Sequence, residues 1–317
     1  MTEPAFRIGV AGVGSLGRHH ARVASSLEGA VVSGIYDSDT ARRDEVAGEF
    51  GLPASRSLED LLAVSDGVVV ATPTVSHREV AGAALAAGRH VLVEKPIAST
   101  LEEADELIGA ATSARVVLQV GHIERFNPAV EAALPLASGA RFIETHRLAV
   151  FTPRSLDVDV VLDLMIHDLQ IAQTVVGRPV VEVRAAGVAV LTPKIDIANA
   201  RIAFEGGCVA NLTASRVSAD KVRKFRVFGP SRYVSIDMGS QEISAAALVP
   251  GPDGRPAIVP SKIEVVHEEP LRRELEGFVR ACRGAGPPLV SGRDGREALA
   301  LALEVRDAIA QHQRSVS

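Results

Sequence analysis

Three groups of residues have the types and spacings that chemistry needs. The first is Gly12-Val13-Gly14-Ser15-Leu16-Gly17, set between an apolar run from Phe6 to Ala11 and a helical pattern from Arg18. There Gly12 permits a tight strand-to-helix turn, Gly14 lets a pyrophosphate reach the backbone, and Gly17 lets helix and strand pack closely. The N–H groups of the helix start, at Ser15 and Leu16, and the positive end of its dipole would face the phosphates. The next expected strand, Ala30 to Tyr36, ends at Asp37, about the separation of an acid that hydrogen-bonds an adenosine ribose. The glycine pattern alone is weak, but strand, turn, helix, strand and acid in this order read as a dinucleotide cradle. Asp37 would repel a 2′-phosphate and so favours NAD, while Arg42 and Arg43 keep NADP open.

The second group is Asp163, His167, Gln170 and Thr174, at helical spacings of four, three and four within a segment that is otherwise apolar around most of its circumference. Such a stripe must find partners or line a wet cavity, because an unpaired buried polar group costs on the order of 1–3 kcal/mol. A histidine suits general-base work near neutrality, with Asp163 orienting it. The alternative is a stripe satisfied within itself, Asp163 simply holding His167. The third group is Glu94-Lys95-Pro96, at the end of an expected strand from His90 to Val93, where a lysine can stabilise developing alkoxide charge.

These residues need a frame. From Phe6 to about His122, short β-branched runs alternate with helical patterns, which predicts a doubly wound parallel sheet, with strands at Phe6–Ala11, Ala30–Tyr36, Gly67–Ala71, His90–Val93 and Val116–Val120 and a short one near Ala54. Ligands sit beyond the carboxyl ends of such strands, which are Gly12, Asp37, Thr72-Pro73, Glu94-Lys95-Pro96 and Gly121-His122. His77, just after Thr72-Pro73, either approaches the cofactor or simply starts a helix. After His122 come a helix from Asn127, a strand from Arg141, a long helix from Asp159 to Val176, and then mostly strands to Leu248, a largely antiparallel open sheet. Pro250 to Pro256 reads as a surface loop, and two helices finish the chain. The expected division is a dinucleotide-binding domain over 1–122 and a second α/β domain over 123–317, with the C-terminal helices free to pack on the first.

Length and composition set bounds. The chain has 317 residues, enough for two cores, and a net charge of −5 with 3% aromatics and no Trp, which argues against a nucleic-acid partner. No apolar run reaches the length of a membrane span, and no leader pattern is visible. The two cysteines, Cys208 and Cys282, form no CxxC and give no metal-ligand spacing, so reduced thiols, a cytoplasmic setting and no metal are expected.

The glycine turn, Glu94-Lys95-Pro96 and Asp163-x-x-x-His167, in that order, resemble the glucose-fructose oxidoreductase and inositol dehydrogenase (Gfo/Idh/MocA) family over nearly the whole chain. The resemblance implies a Rossmann domain followed by an α/β domain that mediates dimer or tetramer contacts, with a sugar or cyclitol bound between them. It also implies a catalytic trio of Lys95, Asp163 and His167, and a cis bond before Pro96. Gly121 to Pro128 and Asp157 to Asp168 are similar to the branch acting on UDP-N-acetylamino sugars, which implies oxidation at C3 of UDP-N-acetylglucosamine or a related sugar. Asp159 departs from the glycine common there. Cations for a diphosphate are available at Arg147, Arg154, Arg216, Lys221, Arg223 and Lys224, and Arg125, at the domain junction, is a further candidate for the substrate. An inositol or free-sugar dehydrogenase is the alternative, and a non-catalytic NAD-binding sensor is the alternative of another class.

Overall fold

A computed structural model of the chain describes residues 4–152, 158–251 and 255–316. Arg154 and Asp157 lie outside them. The chain divides into two compact units, Met1–Ile123 with Glu269–Leu299, and Glu124–Glu268 with Ala300–Ser317. The stretch Glu269–Leu299, drawn from the sequence within the second domain with its helices free to pack on the first, is part of the first unit.

In the first unit, five parallel strands stand in the order β2-β1-β3-β4-β5: β1 Phe6–Ala11, β2 Ala30–Tyr36, β3 Gly67–Val70, β4 His90–Glu94 and β5 Leu118–Gly121. β3 and β5 are buried throughout and β4 nearly so, as expected of strands covered by helices on both faces. The apolar core joins Ile8, Val10, Val69 and Leu92 to Leu275 and Phe278 of α8, Pro270–Cys282. The segment near Ala54 makes a single bridge to Ile35 rather than a strand. From β1 the chain turns to β2 on one side, while β3 pairs on the other, so the crevice over the end of β1 is the switch point of the sheet. Helix α1, Ser15–Ala24, starts there.

The second unit is built on eight strands in the order β13-β12-β11-β10-β6-β9-β8-β7. They are β6 Phe142–Leu148, β7 Val180–Val188, β8 Ile197–Phe204, β9 Val209–Ser215, β10 Val222–Phe228, β11 Arg232–Asp237, β12 Glu242–Pro250 and β13 Pro256–Lys262. All pairings are antiparallel except β6 with β9. Alternation decides which side chains go inward: Ala198, Ala200, Ile202 and Phe204 of β8 are buried and their neighbours are not. β13 was not expected from the sequence; it begins at Pro256, where the expected surface loop ends. It is an exposed edge strand, where a missing N–H interrupts no ladder on its outer side.

The long helix expected from Asp159 is not continuous α-helix. Val161–Met165 form a π-helical turn, followed by α7, Ile166–Val176, which Gly177 ends in the left-handed conformation at φ +58°. The wider turn carries Asp163, so a four-residue step from Asp163 to His167 no longer corresponds to one α-helical turn. The expected buried stripe is correspondingly uneven: His167 and Gln170 are buried, Asp163 half-buried, and Thr174 exposed.

Candidate active site

The three glycines of the first turn differ in what a side chain would meet. Gly12 has φ +83°, and a Cβ there would lie 2.6 Å from the Thr72 backbone nitrogen. A Cβ on Gly17 would lie 1.7 Å from the Gly12 carbonyl oxygen, so only glycine lets α1 approach the turn. At Gly14 a Cβ would meet nothing within 4 Å. That open face lies at the start of α1, whose first turn has no capping side chain and no acid, with Ser15 and Leu16 exposed. The positive end of a helix beside open space fits the diphosphate of a dinucleotide.

Asp37 lies where β2 ends. Its Oδ2 accepts the Val13 N–H at 2.8 Å and its Oδ1 the Asp39 N–H at 2.9 Å, which ties the acid to the glycine turn. Arg42 donates to the Val13 carbonyl at 3.0 Å and pairs with Glu45. His77 is buried, its ring nitrogens 2.9 Å from the Pro96 carbonyl and 3.0 Å from that of Thr72, so it links the loops after β3 and β4. Burial lowers its pKa, although the two carbonyls act the other way. The Lys95-Pro96 bond is cis. Glu94 faces inward: its Oε1 takes a hydrogen bond from His20 Nε2 at 2.7 Å and its Oε2 one from the Lys95 N–H at 3.2 Å. Burial opposes the Glu94 charge, but His20 and then Lys95 hold the carboxyl below its usual range. His20 of α1 is therefore the buried partner of Glu94.

In the second unit, Asp159 fixes the start of the π turn, its Oδ1 accepting the N–H groups of Val161 at 3.0 Å and Leu162 at 3.1 Å. Its other oxygen meets Arg306 at 2.8 Å. Arg216, one of the cations set aside for substrate, is buried, and donates to the Val158 carbonyl at 2.6 Å, just before that turn. Arg125 is buried in a short 3-10 turn, Ile123–Phe126. Beside His167 lies a network that sequence reasoning did not assemble. Arg147 makes a two-pronged contact with Asp168 at 3.0 and 2.8 Å and reaches Glu124 at 2.7 Å, all three buried. Burial disfavours every charge here. It leaves the Asp168 carboxyl raised, whereas Arg147 and Arg223 pull that of Glu124 below its usual range. The clue in the sequence was adjacency, since Glu124 and Asp168 each sit next to a candidate site residue.

Comparison with known proteins gives the family and the fold. Residues 6–122 match an oxidoreductase family with an NAD-binding Rossmann fold, and residues 140–234 match a GFO/IDH/MocA C-terminal domain. The chain is 41% identical to a UDP-N-acetylglucosamine 3-dehydrogenase of Acidithiobacillus ferrooxidans, over 96% of this chain and 97% of that one. A crystal structure of that enzyme superposes with a TM-score of 0.90 at 40% identity, over 96% of this chain and 98% of the other. A myo-inositol 2-dehydrogenase of Thermotoga maritima is more distant, at 26% identity over 98% of both chains. With the glycine turn, the Glu94-Lys95-Pro96 loop and the helix of Asp163 and His167 in place, the chain belongs to the Gfo/Idh/MocA family of oxidoreductases.

Proposed function

We propose that the protein oxidises the C3 hydroxyl of UDP-N-acetylglucosamine, or of a closely related UDP-amino sugar, with NAD. The observation that carries this reading is 41% identity to a UDP-N-acetylglucosamine 3-dehydrogenase along nearly the full length of both chains. NAD, when bound, supplies the hydride acceptor. Gly12, Gly14, Ser15, Leu16 and Gly17 would hold its diphosphate, Asp37 its ribose, and Thr72, Pro73, His77, Glu94 and Lys95 would bound its nicotinamide end. His167 takes the hydroxyl proton, and Asp163 orients the ring or the sugar. The Lys95 ammonium hydrogen-bonds the substrate oxygen and stabilises its growing negative charge. Arg125 serves the sugar nucleotide. Arg216, also assigned to substrate from the sequence, would act through its grip on Val158, upstream of the turn that carries Asp163.

The free thiols of Cys208 and Cys282 support a reducing, cytoplasmic setting. Among the described residues no helix is long and apolar enough to cross a membrane. The test is NAD reduction against UDP-N-acetylglucosamine, its uronic acid, glucose and inositol. Turnover confined to the UDP sugars is expected. Turnover of inositol or glucose without the nucleotide would move the assignment to the cyclitol and free-sugar branch, and NAD binding with no turnover on any of them would leave a sensor. Lys95→Ala and His167→Asn should each lower kcat by about 10²–10⁴-fold while NAD binding persists. Near wild-type turnover in either folded variant removes that residue's role.

A further inference from the structure

Behind the Lys95 loop, three ionisable side chains from three elements of the first unit meet in the core. His20 comes from α1, Glu94 from the end of β4 and Glu274 from α8, and one ligand-type atom of each lies within 4.8 Å of the other two. All three are buried, Glu274 completely. The space is tight: a Cβ on Gly121 of β5 would lie 3.0 Å from Glu94 Oε2. His20 donates to Glu94, and Glu94 receives the Lys95 N–H, but both carboxyl oxygens of Glu274 are without a hydrogen-bond partner among the described residues. Gln119 of β5 anchors α8 at the same residue, donating to the Glu274 backbone carbonyl at 3.2 Å.

Two chemistries suit a buried histidine with two carboxyls, a metal ion or a proton. Bonds of 2.0–2.2 Å to a tetrahedral metal keep neighbouring ligand atoms about 3.3 Å apart. His20 Nε2 and Glu94 Oε1 are 2.7 Å apart, the length of a direct hydrogen bond. Glu94 has two donors and the nearby Lys95 charge to keep it ionised. Glu274 has no donor and a carboxylate for a neighbour, the arrangement in which one of two carboxyls keeps its proton. Burial, and then the Glu94 charge, raise its pKa well above the usual range.

We propose that Glu274 is a carboxylic acid in the folded protein and that His20, Glu94 and Glu274 form a buried triad that positions the Lys95 loop. Glu274 is a positioning residue, keeping a second negative charge away from the carboxylate that holds the Lys95 backbone. The positioning half rests on the role given to Lys95 above; the protonation half does not.

Two measurements on the full-length protein test it. In infrared spectra at neutral pH, a carboxylic-acid carbonyl band is expected in the wild type and is lost in Glu274→Gln. Its absence from the wild type, or a stoichiometric transition metal found by elemental analysis, overturns the proposal. In kinetics, Glu274→Ala should lower kcat about tenfold with KM values changed less than about twofold, and Glu274→Gln, the neutral isostere, should restore kcat to within about twofold of wild type. Equal impairment in both, or in neither, overturns the positioning role. If Lys95→Ala itself proves harmless, the kinetic arm fails with the catalytic reading, and the infrared arm still decides the state of Glu274. The infrared arm also stands if Glu274→Ala does not fold.

Discussion

Asp37 and Glu274 are both carboxyl groups, and their surroundings give them opposite duties. Asp37 accepts two backbone N–H groups at the end of β2, which fixes an acceptor beside the glycine turn. A 2′-phosphate in that place would meet a like charge, and at an effective dielectric near 20 the repulsion over about 4 Å is about 4 kcal/mol before solvent screening. NAD should therefore bind at least about tenfold more tightly than NADP, and Asp37→Ser should narrow the gap. Binding titrations check this, and a wild type that prefers NADP would refute it. Glu274 makes a different prediction, of stability against pH. The ionisable groups facing it are His20 from α1 and Glu94 from β4, with Lys95 just beyond Glu94, while the amide of Gln119 from β5 binds its backbone carbonyl. Its folded pKa is raised, so its contribution to stability is complete below the ordinary carboxyl range. That contribution is lost as pH rises toward the folded value, because the unfolded chain gives up the proton first. Glu274→Gln removes this dependence. The melting temperature of the variant relative to wild type should thus be higher at pH 8 than at pH 5, and a difference that stays flat with pH would show that Glu274 does not bind a proton on folding.

At the scale of the element, the π turn matters most. The sequence showed an apolar segment with polar residues at helical spacing, and that was enough to place a helix and to single out Asp163 and His167. The wider turn was not legible, because hydrophobic spacing cannot tell one inserted residue from a small rotation of the helix. Asp159 shows the same limit. In the sequence it stood out only as an acid where the resembling branch has glycine; in the structure its side chain caps the turn through two N–H groups. Its contact with Arg306 is the weaker part, since Arg306 remains 42% exposed and a pair of that kind contributes about 0–1 kcal/mol. The cap contributes about 0.5–2 kcal/mol when a side chain of this type is lost to alanine, typically about 1 kcal/mol. Asp159→Ala should therefore lower the melting temperature and also kcat, because the turn it starts carries Asp163. Arg306→Ala should leave both nearly unchanged. If Arg306→Ala is as damaging as Asp159→Ala, the ion pair and not the cap sets the turn.

For the whole molecule, the parallel sheet was the more legible half. Buried β-branched runs such as Val68-Val69-Val70, with glycine and capping residues between them, leave few other folds open. The eight-stranded sheet was less so, because its edge strand carries prolines and its order depends on the β6–β9 parallel pair, which joins strands far apart in sequence. Register reveals something in this sheet that no single strand displays. Ala203, Val209, Phe142, Phe228, Tyr233, Ala246 and Pro260 are partners in succession across seven strands, an apolar row on the outward face. The Phe142, Phe228 and Tyr233 rings stand 5.9 and 5.0 Å apart along it. Farther along the same face the pairs are polar, such as Arg226 with Glu144 at 3.0 Å. A row of aromatics bordered by charges matches the apolar core and polar rim of an interface. The occupant we expect is a second copy of this chain, in a homodimer or a homotetramer, burying at least about 1,200 Å². Light scattering at micromolar concentration should then give a multiple of the 33.3 kDa chain mass. Tyr233→Glu, which places a charge beside Phe228 without touching the inward face, should shift that mass toward the monomer while the far-ultraviolet spectrum is unchanged. A wild type that is already monomeric, or a Tyr233→Glu variant that assembles normally, would mean that this row does not join subunits.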